Sequence, residues 1–118
     1  MYADTRSAFQ AMAGACPQLA RRLKAMKTEE LELERRCRAH ARRHGWVCCK
    51  LEKNGCKGIP DDLFISPEQR CWLVEFKKDE KQKPRPEQAV WLERFSKIAV
   101  LVGTFAEFCK VLQIDPNE

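Results

Sequence analysis

The chain has 118 residues, 44% of them hydrophobic and 33% charged, with a net charge of +5 and a pI near 8.9. That length suits one domain around a single core, and the composition excludes a disordered or fibrous chain. No apolar run approaches the roughly 20 residues that cross a bilayer, and the N-terminus lacks the ordered basic, apolar and small-residue regions of a secretory signal, so the sequence reads as a cytoplasmic protein with no membrane partner.

The seven cysteines (16, 37, 48, 49, 56, 71 and 109) are odd in number and form no C-x-x-C pair. Several stand inside apolar runs, which suits reduced, packed thiols. His40 and His44 are one helical turn apart, but no second pair of zinc ligands accompanies them.

In chain order, 1–27 is a lead segment with a short helix expected over 18–26, after Pro17. Thr28 offers an N-cap, Glu29 and Glu30 suit the positive end of a helix dipole, and Gly45 offers a stop, so a helix is expected over 29–44. Leu33, Cys37, His40, Ala41 and His44 form its inward stripe, with Arg35, Arg38 and Arg42 nearly opposite. Residues 46–50 read as a strand, 53–55 as a turn, and 62–65 and 71–76 as two further strands joined by the short link 66–70. After a polar loop, Pro86 opens a helix over 86–97 that carries Trp91, Leu92 and Phe95 on one face. A fourth strand over 98–102 stops at Gly103, and Thr104 caps a last helix that ends near Leu112. The order α-β-β-β-α-β plus an extra C-terminal helix predicts an α/β fold, one mixed sheet flanked by helices.

Alternation along 71–76 puts Val74 and Phe76 on one face, and Glu75 and Lys77 on the other. Pro60 has no amide to donate, so Asp61 belongs at the mouth of its strand. If the two strands pair as an antiparallel hairpin, Asp61 comes level with Glu75 and Lys77. Neighbouring carboxylates repel unless protonated or bridged by a cation, and an all-oxygen site is what Mg²⁺ or Mn²⁺ prefers. A lysine beside such a cation can orient a water and balance charge developing on a phosphate. The plainer reading of Glu75 and Lys77 is a solvated strand edge. Basic clusters at Arg35, Arg38 and Arg42, and at Lys77, Lys78, Lys81, Lys83 and Arg85, suit a polyanionic partner.

Pro60-Asp61, a gap of thirteen residues, and Glu75-Phe76-Lys77 on an apolar strand resemble the PD-(D/E)XK nuclease motif, whose core has the same element order. Lys57-Gly58-Ile59-Pro60-Asp61 is similar to the glycine-led form of that motif in VRR-NUC domains. Arg85 to Leu92 resembles the S/P-x-x-Q-x-x-W/F-L helix of the same branch. The resemblance covers roughly 28–103 and leaves 1–27 unaccounted for, and Asp62 departs from the apolar residue that often follows the aspartate. Asp62 is expected to point away from Asp61.

The resemblance implies a restriction-endonuclease-like core and a small stand-alone nuclease of the type encoded by phages and bacteria. Such proteins are homodimers that cut branched DNA, including Holliday junctions, with Mg²⁺ or Mn²⁺ and no small-molecule cofactor. Asp61, Glu75, the Phe76 carbonyl and Glu30 would serve the metal. Glu30 is preferred because it lies beside the core stripe and three residues before Leu33, with Glu34 in reserve. Lys77 would orient the attacking water and Gln88 support the phosphate or the lysine, unless Gln88 only caps its own helix. Arg35, Arg38, Arg42, Lys57, Lys78, Lys81, Lys83 and Arg85 would hold the DNA backbone. A non-catalytic DNA-binding module and a flap, linear-DNA or RNA nuclease are the alternatives.

Overall fold

The computed structural model describes residues 17–51, 56–77 and 84–118. The first helix, α1, is Pro17–Arg43. Its opening proline pre-sets φ and lacks an amide at a position where that amide would have no helical partner. The break expected at Thr28 is absent, and the two helices foreseen on either side of it are one rod of 27 residues. Thr28 does not cap: its hydroxyl donates to the Lys24 carbonyl at 2.9 Å, the back-bond by which threonine is tolerated inside a helix. A boundary at residue 27 therefore falls within α1, and 1–16 lie outside the described residues. The stop at Gly45 is as expected. With φ at +84°, Gly45 donates to Arg42 O and Trp46 donates to Ala41 O, both at 3.0 Å, a Schellman closure that satisfies the last carbonyls.

Four strands follow: β1 (Val47–Lys50), β2 (Asp62–Ile65), β3 (Cys71–Phe76) and, after the helix α2 (Pro86–Arg94), β4 (Ala99–Val102). The helix α3 (Phe105–Leu112) completes the chain of elements, capped as expected by Thr104, whose hydroxyl accepts from Glu107 N at 3.1 Å. Trp46 and Ile98, expected inside strands, stand just before them. Helix α2 ends at Arg94 rather than 97, because Ile98 and Ala99 both turn back to bond the Phe95 carbonyl.

The sheet order is β1-β2-β3-β4, antiparallel across the first three strands and parallel between β3 and β4. Asp62 pairs with Val74 and Ile65 with Cys71, the register foreseen from the short link. Alternation then sorts the side chains. Phe64, Val74 and Phe76 face α1 and α3, where they meet Leu33, Cys37, Ala41, Phe108 and Leu112. The Phe64 and Phe108 rings pack edge-on at 5.1 Å. His40 belongs to this packing. Its Nε2 donates to the Asp115 carbonyl at 2.7 Å, and its Nδ1 accepts from Arg43 at 3.0 Å, which fixes a neutral ring. The opposite face carries Glu75 toward α2. Trp91, Leu92 and Phe95, expected inward, are only half-buried, and the residue that α2 buries is Gln88. No described helix is long and apolar enough to cross a membrane.

Candidate active site

The approach to β2 is held against the first turn of α2. Gly58 has φ at +83°, and a Cβ on it would come within 2.5 Å of the Glu87 backbone, so only glycine fits. Trp91 Nε1 donates to the Lys57 carbonyl at 3.2 Å, and Lys57 Nζ lies 3.2 Å from Glu87 Oε1. Pro60 is buried behind this contact, and Asp61 emerges where β2 begins.

Asp61 is tied on both sides. Leu51 N donates to its carbonyl at 2.9 Å, and Phe76 N donates to its Oδ2 at 3.0 Å. Side chain has replaced backbone as the acceptor, which marks the point where β2 and β3 stop pairing. Asp61 therefore stands level with Glu75 at one end of the sheet, as the hairpin argument required. Glu75 is 2% exposed, as is Gln88, and Gln88 Nε2 donates to Glu75 Oε1 at 2.6 Å. Gln88 Oε1 accepts from Arg85 N at 3.3 Å. Of the roles weighed for this amide the cap is present, through its oxygen, while its NH₂ orients the Glu75 carboxylate, a partner that the sequence reading had not named. Lys77 is half-buried just beyond β3, with its amide donated to Val102 O at 2.9 Å.

Glu30 is half-buried on α1, one turn before Glu34. Among the described residues no three His, Cys, Asp or Glu side chains come together closely enough to hold a metal ion. The pair Asp61 and Glu75 fits a hard divalent cation by donor chemistry, both being carboxylates at a strand end. Glu30 does not join them in this geometry.

Sequence reading missed a second charged cluster next door. Asp62 does point away from Asp61, but into the molecule: it is fully buried, with Arg38 Nη1 at 3.2 Å from its Oδ1. The same Arg38 nitrogen lies 3.3 Å from Glu34 Oε1, and Lys50 Nζ lies 3.4 Å from that oxygen. Burial, then a hydrogen bond shared with Glu34, pushes the Asp62 carboxyl up to about 8, with Arg38 pulling the other way. The signal was present in the alternation that sends Phe64 inward, because it sends Asp62 the same way.

Glu34, held in reserve for the metal, is committed to this cluster. Arg38 is half-buried and paired with both of these acids, while Arg35 and Arg42 are exposed. Its position, about 140° round the helix from Leu33, lies at the flank of the core stripe, where the end of β2 meets it. Arg85 is exposed, and Lys57 is exposed but paired with Glu87. Lys78, Lys81 and Lys83 lie outside the described residues. A cleft of about 440 Å³ beside Trp46, Arg70 and Trp72 is at the opposite end of the sheet and contains none of these groups.

No family model and no curated protein matches the chain. Among solved structures, a VRR_NUC domain aligns with a TM-score of 0.64 and 34% sequence identity, covering 71% of this chain and 94% of that one. With that identity over nearly the whole of the other domain, and a mixed sheet with flanking helices in the order restriction-endonuclease-like folds share, the chain belongs to the VRR-NUC family of nuclease-like domains.

Proposed function

We propose that the protein is a metal-dependent endodeoxyribonuclease of the cytoplasm that hydrolyses phosphodiester bonds in branched DNA, including Holliday junctions. The observation that supports this most is the pairing of Asp61 and Glu75 at the splayed end of β2 and β3, with Gln88 holding Glu75 by a 2.6 Å hydrogen bond. Asp61, Glu75 and the Phe76 carbonyl would hold Mg²⁺ or Mn²⁺, with Glu30 reaching the centre through water. When bound, such an ion polarises the scissile phosphate and acidifies a coordinated water.

The remaining work belongs to the chain. Gln88 restricts Glu75 to one orientation, so a ligand oxygen is presented without rotamer searching. The amide of Phe76 does the same for Asp61. Lys77, on the same strand face as Glu75, orients the attacking water and offsets charge on the phosphate. Arg35, Arg42 and Arg85, with Lys57, Lys78, Lys81 and Lys83, hold the DNA backbone by charge, which gives steep salt dependence and little sequence preference. Two scissile strands in a junction suit a two-fold homodimer with one site per strand.

The test compares initial cleavage rates on a four-way junction, a flap, linear duplex and RNA with Mn²⁺ or Mg²⁺, alongside light scattering of the full chain. Fastest cleavage of the junction and a mass of about twice 13.7 kDa are expected. Equal rates on linear duplex would remove the branched-DNA specificity, and a monomer would remove the two-site scheme.

A further inference from the structure

We propose that Arg38 is a positioning residue of the metal centre: it is the hub of a buried joint that fixes α1 to the start of β2, and it does not contact DNA. This rests on the reading of Asp61 and Glu75 as metal ligands.

The geometry of the joint is specific. One guanidinium nitrogen reaches two buried acids on different elements, Asp62 of β2 at 3.2 Å and Glu34 of α1 at 3.3 Å. Asp62 is fully buried and Glu34 is 5% exposed, so water cannot replace the arginine for either. Lys50 adds a second, more exposed cation on Glu34 from β1, so three elements meet here. The nitrogen that reaches both acids is held in direction by the rigid guanidinium plane, whereas an ammonium at the end of a flexible, more strongly hydrated stem is not.

What the joint fixes lies directly beside it. Asp62 is the peptide neighbour of Asp61, so holding the Asp62 side chain sets the backbone from which the Asp61 carboxylate projects. Helix α1 runs alongside β2 in the same direction: Glu34 is near Asp62 at the start of the strand, and Gly45 is near Pro67 beyond its end. One turn back from Glu34, about 6 Å along the axis, places Glu30 past the start of β2, at the level where Asp61 and Glu75 stand. Arg38 therefore sets the spacing between the helix that carries one acidic residue and the strand that carries another. Such outer partners of metal ligands typically change metal affinity or activity by about 10- to 100-fold when removed.

The experiment uses the full chain with Arg38→Lys and with Asp62→Asn, and Arg35→Gln as the contrasting surface change. Junction affinity and its salt dependence are measured without divalent metal, Mn²⁺ affinity by titration calorimetry, and cleavage in single turnover at saturating DNA. Both joint variants are expected to lose about tenfold or more in Mn²⁺ affinity and in cleavage rate, with DNA affinity within about twofold of the parent. Arg35→Gln is expected to weaken DNA binding and lower the salt slope by about one, with Mn²⁺ affinity unchanged. If Arg38→Lys keeps both Mn²⁺ affinity and rate, or if the joint variants behave as Arg35→Gln does, the proposal fails. Asp61→Ala separates the two levels: should it bind Mn²⁺ as the parent does, the metal-site reading itself fails, whatever Arg38 does.

Discussion

Gln88 shows how much one buried side chain can settle. A carboxamide has one acceptor and two donors, and here the acceptor closes the N-terminus of α2 while a donor holds Glu75. Replacing it with Ala leaves α2 in place, since Pro86 still opens the helix, but frees Glu75 to turn. We expect Gln88→Ala to lower the single-turnover cleavage rate by roughly tenfold or more with DNA affinity little changed; unchanged cleavage would show that the contact is only structural. The cysteines give a prediction of a different kind. Burial, with Cys109 nearby, pushes the Cys37 thiol up to about 12, while Cys49 and Cys56 are exposed. Since the thiolate is the nucleophile, an alkylating reagent at pH 8 should modify Cys49 and Cys56 within minutes and leave Cys37 intact in the folded protein, as peptide mass mapping would reveal. Raising the pH toward 12 increases the thiolate fraction of Cys37, so any reaction there should grow with pH, and early modification of Cys37 at pH 8 would contradict its placement.

At the scale of elements, turn and cap chemistry was the most legible layer. Pro86, Thr104 and Gly45 each mark a boundary that the structure keeps, because each changes the backbone's own hydrogen bonding or φ. Thr28 misled for the same physical reason: its hydroxyl serves a cap or a back-bond equally well, and the helical propensity of the residues around it decided for the back-bond. Gly58 ties the local and the functional. A methyl group there meets the Glu87 backbone at 2.5 Å and must also adopt φ near +83°. Gly58→Ala is therefore expected to cost about 1–3 kcal/mol, read as a lowered thermal midpoint. It should also slow cleavage by moving the segment that ends at Asp61. A variant as stable and active as the parent would show that this segment is not rigidly seated.

For the whole molecule, the fold and its matched register were readable because alternation, short links and strand-end residues agree with one another. The joint of Glu34, Arg38 and Asp62 was not, since it depends on where a helix flank meets a strand start, which no one-dimensional pattern specifies. Charge clustering placed Arg38 with Arg35 and Arg42 although tertiary packing separates them. Asp61 and Glu75 stand level at one end of the sheet, brought there by a pairing that the sequence spacing enforces. The central claim is that these two carboxylates make the chain a metal-dependent nuclease. It is tested most directly by incubating the parent, Asp61→Ala and Glu75→Gln with four-way junction DNA in Mn²⁺ and in EDTA. The account predicts cleavage by the parent in Mn²⁺ only and a loss of at least about a hundredfold in both variants. Cleavage that persists in EDTA or survives in Asp61→Ala would contradict it.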